Sequence, residues 1–153
     1  MKRVNSIGIF LPRIFKAVLV GDGWNDSFGW VSLNTARKSG KPVMLVVSKP
    51  SCPRCRHLKA KLVTHAGVKK LSPYFAMVHA LPEELPQDGN GDDAFHPDGR
   101  YVPRILFFDN NFNFMPEVRG PISSYQYFYG EPDNVEISMV NALIAARNRH
   151  IST

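Results

Sequence analysis

Residues 43–48, VMLVVS, form a continuous apolar run rich in β-branched side chains and closed off by Pro42 and Pro50. That is the pattern of a short central strand buried on both faces. Such a strand needs a layer on each side, so helices have to cover a sheet. The chain supplies them in order. WVSLNTARKSGKP reads as a short helix with Trp30, Leu33 and Arg37 near one face, Gly40 as a left-handed cap and Pro42 as the stop. A helix follows from Pro53, with Cys55, Leu58, Leu62 and Val63 turned inward. YFAMVHA, 74–80, reads as a second strand after the break at KKLSP, and 82–100 as a polar loop. RILFFD and FNFMPEV then read as two strands joined around Asn110 and Asn111. A last helix covers 134–149, with Asp133 as N-cap, Glu136 completing a capping box, and Ile137, Val140, Leu143 and Ile144 as the buried stripe. The expected fold class is α/β, a central mixed sheet flanked by helices.

At 153 residues the chain fits one domain, over 21–150, preceded by a basic extension over 1–20. The net charge of +6 hints at nucleic acid, but its distribution does not support that. Lys2, Arg3, Arg13 and Lys16 all precede the first acid, Asp22, and the remaining body is close to balanced. A basic stripe interleaved with aromatics is missing, so no nucleic-acid partner is expected. Nor does any stretch reach the roughly 18–20 apolar residues of a membrane span, so stable membrane insertion is not expected. The segment VNSIGIFLP after Lys2 and Arg3 resembles the front of a secretory signal, interrupted by Arg13 and Lys16. Helical spacing from Ile7 to Leu19 also resembles a mitochondrial presequence, and an untargeted N-terminal extension is the third reading.

Cys52 and Cys55 are the only cysteines, in SCPRC. A C-x-x-C supports a redox pair, half of a metal site or a local staple. At a helix N-terminus, the first sulfur would meet unpaired N–H groups and the positive end of the dipole. The second, three residues on, would lean toward the core. From Ser27 to Pro82 there are ten Lys and Arg residues and no acid, with Lys49, Arg54, Arg56, Lys59 and Lys61 around the pair. Cations stabilise a thiolate, and Arg54 lies inside the motif, so it is the candidate residue for tuning the thiol. A zinc site would need two more ligands, and the five histidines include no H-x-x-x-H pair. DGNGDD, 88–93, departs from the calcium-loop template at Asp93 and Gly99, so neither metal is expected. Asn25-Asp26-Ser27 is a glycosylation sequon.

GKPVMLVVSKPSCPRCRHLK resembles the redox core of a thioredoxin-like domain, and HPDGRYVPRILFFD and SYQYFY sharpen the match. Together they resemble the small single-domain members of the protein disulfide isomerase group, the anterior-gradient proteins and their endoplasmic-reticulum thioredoxin-domain relative. The resemblance implies a thiol–disulfide oxidoreductase without a cofactor, acting on cysteines or disulfides of other proteins, with glutathione as a small-thiol partner. It implies Cys52 as the mixed-disulfide cysteine and Cys55 as the resolving one. Pro103 would be a cis-proline beside the site, and Val102 would offer its backbone to a substrate strand. It also implies a lumenal or secreted location, cytoplasmic and mitochondrial locations being the alternatives. Four positions depart from the family pattern: Ser51 replaces a tryptophan, Val46 a buried acid and Ala60 a proline, and the chain ends NRHIST rather than in a retrieval signal. The missing acid and tryptophan favour a rival function, a chaperone-like client-binding module.

Overall fold

Val43–Val47 (β1) is the middle strand of the sheet, and all five of its residues are buried. In the computed structural model, which describes residues 28–86 and 94–152, β1 pairs in parallel with Ala76–Ala80 (β2) and antiparallel with Arg104–Phe108 (β3). Leu45 stands opposite Val78 on one side and Leu106 on the other, and the strand order is β2-β1-β3. The 1–20 extension, the Asn25 sequon and the 88–93 loop lie outside the described residues.

Alternation sorts the strands onto two layers. Met44, Val46, Met77, Ile105 and Phe107 face Leu58 and Leu62 of Pro53–Leu62 (α2) and Val135, Met139, Ala142 and Ala146 of Pro132–Ser152 (α4). Val43, Leu45, Val47, Val78, Leu106 and Phe108 pack with Leu85, Phe95 and Ala36, the last from Leu33–Arg37 (α1). Ser32 caps α1 by accepting from the Thr35 N–H, and Gly40 beyond it takes the expected left-handed conformation at φ 72°. Both margins of the sheet are met by irregular chain. The Val31 N–H donates to the Met77 carbonyl on the β2 side. On the β3 side, Ile105 donates to Tyr127 and Met115 to Phe107.

Several expectations need correction. FNFMPEV is not a strand: it meets β3 at a single bridge, Phe108 with Phe114, and Pro116 has no N–H to extend the ladder. The turn before it is organised by Asp109, whose Oδ1 accepts from the Asn111 and Asn113 N–H groups. Its left-handed residue is Phe112, at φ 62°, rather than an asparagine. Stacking of Phe112 on Phe108 at 4.5 Å and the Arg37 guanidinium 4.3 Å over the ring hold that conformation.

A helix unanticipated at KKLSP, Ala66–Leu71 (α3), precedes a 3-10 turn, Ser72–Tyr74. It is too short for a periodic signal, and its cap is His65, an unusual N-cap, whose Nδ1 accepts from the Val68 N–H. Gly67 leaves room for the Glu136 side chain, which a Cβ there would strike.

The last helix begins at Pro132, so Asp133 lies inside its first turn and its carboxylate accepts from His65 instead of capping. The helix is also rotated from expectation. Val135, Ser138, Met139, Ala142 and Ala146 face inward, while Ile137, Val140 and Ile144 are 57%, 42% and 54% exposed and Leu143 is half-buried. Small residues on the inner face let α4 approach the sheet closely. Ser138 is satisfied there, accepting from the Tyr129 hydroxyl at 2.8 Å and donating to the Arg119 carbonyl.

Candidate active site

The C-x-x-C joins the end of β1 to the start of α2. After buried Ser48, a turn closes from the Cys52 N–H to the Lys49 carbonyl, and Cys52 becomes the N-cap of α2. Pro53 follows at the first helical position, where a missing N–H costs nothing. The Cys52 Sγ accepts from the Cys55 N–H at 3.1 Å, so an otherwise orphaned helical donor points at this sulfur. Cys55 is buried on the inner side of α2 with Leu58 and Leu62, whereas Cys52 is half-exposed. The two are joined in a disulfide, their Cα atoms 5.2 Å apart. One sulfur is open and one shielded, as an exchange pair requires.

The second wall comes from the segment before β3. The Val102–Pro103 peptide is cis, and the Val102 carbonyl lies 4.0 Å from Cys52 Sγ. The structure thus brings Cys52, Cys55, Val102 and Pro103 together across a wide gap in sequence.

Arg104, the first residue of β3, holds this wall, and the sequence reading missed it. Its side chain is fully buried, donating from Nε to the Phe95 carbonyl at 3.0 Å and from Nη1 to the Tyr101 carbonyl at 2.7 Å. Nη2 lies 2.9 Å from His96 Nδ1. Burial pulls the guanidinium down to about 10, with Arg100 acting in the same direction. Tyr101 adds a second tie: its hydroxyl donates to Asp98 Oδ1 at 2.6 Å and accepts from the Tyr127 N–H. Burial, then the Asp98 bond, keeps that hydroxyl protonated well above the usual tyrosine range. Asp98 Oδ2 accepts from the Gln126 N–H, closing the network. The available signal was a charged residue opening an otherwise apolar strand, directly after a proline.

The basic belt differs in space from its appearance in sequence. Arg54 points over the Phe128 ring at 5.8 Å, and Arg56 donates to the Pro50 carbonyl. Glu131, distant in sequence, accepts from Lys61 at 2.8 Å and lies 3.4 Å from His57. The Lys61 bond holds its exposed carboxyl below the usual range. The belt is therefore acid-free along the chain but not around α2. Beneath the dithiol strand, Val46 is fully buried, and its register partner His79 bonds through Nε2 to Ser48 Oγ at 2.8 Å.

His65, Asp133 and Glu136 also converge, close enough to suggest a cation site. The imidazole argues against one. Nδ1 accepts from the Val68 N–H, so the ring proton sits on Nε2 and donates to Asp133 Oδ1 at 2.9 Å. A ring in that tautomer caps α3 and offers no lone pair to a metal.

A family model described as Thioredoxin-like matches residues 31–110. Anterior gradient protein 2-B of Xenopus laevis is 30% identical over 129 residues, covering 81% of this chain and 74% of that protein. Anterior gradient protein 3 of Mus musculus is 30% identical over 131 residues, covering 82% and 75%. The Anterior gradient protein 2 homolog of Homo sapiens is 28% identical over 124 residues, covering 78% and 67%. Among solved structures, a disulphide isomerase from Xylella fastidiosa Temecula1 aligns with 55% of this chain and 65% of that one, at 19% identity and a TM-score of 0.40, too loose a likeness to argue from.

Proposed function

The chain belongs to the thioredoxin-like family, alongside the anterior gradient proteins, and from that premise we propose that it is a thiol–disulfide oxidoreductase acting on protein cysteines. One observation carries the reading. An N-capping, half-exposed Cys52 faces the Val102 carbonyl beside cis-Pro103 and is bonded to a buried Cys55.

In the oxidised form, a client thiolate attacks Cys52 Sγ. The Cys52–Cys55 bond breaks, and Cys55 leaves as a thiolate and takes up a proton. A second client thiolate then attacks the client sulfur of the mixed disulfide. The client gains a disulfide, Cys52 leaves as a thiolate, and the protein holds the two electrons as a dithiol. The reverse sequence reduces a client disulfide, with Cys52 attacking and Cys55 resolving. Helix-terminal N–H groups favour the Cys52 thiolate in both directions. Arg54 adds positive charge near it, and Val102 and Pro103 align the client strand. Glutathione, a small thiol, can exchange with the same sulfur.

The test is turnover of a dithiol peptide. Cys52→Ser loses exchange, while Cys55→Ser accumulates a mixed disulfide with the peptide. Full turnover in Cys52→Ser sinks the proposal. Apolar Val46 under the site favours a second reading, a client-binding module. Peptide binding by the wild type with no turnover would select it. The sequence resemblance further supports an endoplasmic-reticulum lumenal location. Microsomal import with a glycosidase shift at Asn25 tests it, and a protease-sensitive chain outside the microsomes refutes it.

A further inference from the structure

Two guanidinium groups beside Cys52 are held in place by the fold. Arg56 reaches back past the start of α2 and donates from Nη1 to the Pro50 carbonyl at 2.8 Å, two residues before the cysteine. Arg54 lies over the Phe128 ring at 5.8 Å. Phe128 bridges to Arg104, two residues beyond Val102, so the Arg54 charge stands against the wall that carries the Val102 carbonyl. Lys49 adds a third cation: its carbonyl accepts from the Cys52 N–H, and the residue is exposed. Exposed Ser51, between Pro50 and Cys52, is too small to screen these charges from a client.

Among the described residues, no carboxylate pairs with Lys49, Arg54 or Arg56. Acids of the neighbouring segments are committed elsewhere. Glu131 accepts from Lys61 and lies 3.4 Å from His57. Asp98 spends one carboxylate oxygen on the Tyr101 hydroxyl and the other on the Gln126 N–H, inside the wall. A solvated basic face needs no such fixing. Here both arginines are anchored, by a carbonyl and by a ring, and an anchored guanidinium loses less freedom when it meets a carboxylate.

We propose that Lys49, Arg54 and Arg56 form a carboxylate-recognition surface, and that the clients met at Cys52 are extended acidic segments with Asp or Glu close on either side of the cysteine. The inference rests on the proposed exchange reading and names its client class. The client backbone meets Val102, and its acidic side chains meet the cations of α2 and of the turn before it. These contacts lie at exposed groups and are screened by salt, so selectivity arises in capture rather than in the sulfur chemistry.

Two labelled peptides separate capture from chemistry. They share one sequence with serine in place of cysteine and differ only in carrying Asp or Lys on both flanks. Fluorescence anisotropy with the full chain at about 50 mM salt gives the Asp peptide a Kd about tenfold lower, and the preference collapses at about 500 mM. Lys49→Glu/Arg54→Glu, which spares the Arg56 bond to Pro50, prefers the Lys peptide. Arg56→Gln narrows the wild-type preference by about threefold. Circular dichroism confirms that the variants stay folded. Turnover of the cysteine forms, each rate divided by that peptide's uncatalysed exchange with oxidised glutathione, follows the same order. Equal affinities at low salt, or a preference unchanged in the double variant, overturn the proposal. Turnover of both peptides at equal corrected rates overturns it and leaves the oxidoreductase reading standing. Capture of the Asp peptide with turnover of neither overturns the oxidoreductase reading and leaves the carboxylate surface standing.

Discussion

The Val102 carbonyl stands 4.0 Å from the Sγ of Cys52, across a chain separation of 50 residues. In the proposed exchange it marks the side from which a client approaches. Cys55 is turned away from solvent, at 2% exposure. After reduction, alkylation with iodoacetamide at neutral pH should modify Cys52 at least about tenfold faster than Cys55, because access and thiolate character favour the same sulfur. Peptide mapping at short times reads the ratio, and equal rates would remove the asymmetry on which exchange depends.

Arg54 should contribute to that rate. Arg54→Gly removes a cation that lies over the Phe128 ring and should slow Cys52 alkylation by roughly threefold. An unchanged rate would mean that its charge is spent on solvent.

Replacing Arg104 should cost more than any surface cation. Arg104→Met leaves the Phe95 and Tyr101 carbonyls without their donor and should lower stability by about 2–4 kcal/mol in urea unfolding. Arg104→Lys keeps the charge but cannot reproduce the directed bonds, so it should not restore the loss. In variants that remain folded, exchange with a peptide should fall while exchange with glutathione persists, since only the peptide needs an ordered Val102. A parallel loss of both would show that Arg104 supports the fold alone.

Tyr129 gives an alkaline signature. Burial pushes its hydroxyl up to about 12, although the bond to Ser138 works the other way. A folded-state value above the unfolded value of about 10 means that Tyr129 contributes stability fully present below pH 10 and lost as pH rises through about 12. Tyr129→Phe should flatten that part of the alkaline stability curve. If the wild-type curve is already flat there, the hydroxyl is more accessible than its burial indicates.

Asp109 gives the acidic counterpart. Burial acts against its charge, but the Asn113 N–H, Arg149 and the Asn111 N–H together hold the carboxyl below its ordinary range. Its contribution is therefore present above the unfolded value near 3.9 and is lost as pH falls from there through the lower folded value. Asp109→Ala should destabilise by about 2 kcal/mol at neutral pH. The gap to wild type should narrow below pH 4, and a gap constant with pH would exclude the charge as its source.

Elements with one strong physical signature could be read from the chain. The apolar run before the C-x-x-C could only be a buried strand, and Cys52 behind it could only open a helix. Where two signals competed, the reading failed. Helix α4 is apolar on both sides, so periodicity could not say which side faces the sheet, and small Ala142 and Ala146 gave way to bulkier Ile137 and Ile144. Pro132 then set the start that Asp133 had been expected to mark. Helix α3 was hidden by its length and its histidine cap. Arg104 was passed over because burial of a guanidinium depends on carbonyls placed by tertiary structure. Glu131 beside Lys61 joins residues too far apart in sequence for local reading.

At Met77, Ile105 and Phe107 the outer strands of the sheet already bond to irregular chain from Val31, Tyr127 and Met115. At these residues, an incoming polypeptide cannot extend the sheet as a new edge strand, a protection against uncontrolled association. In the proposed exchange, a client meets the loops around Val102 instead. On that reading, selectivity and architecture occupy different residues. Under the proposed function, substitutions across 95–102 and 119–128 change which proteins are handled, while β1, β2 and β3 keep the same pairing.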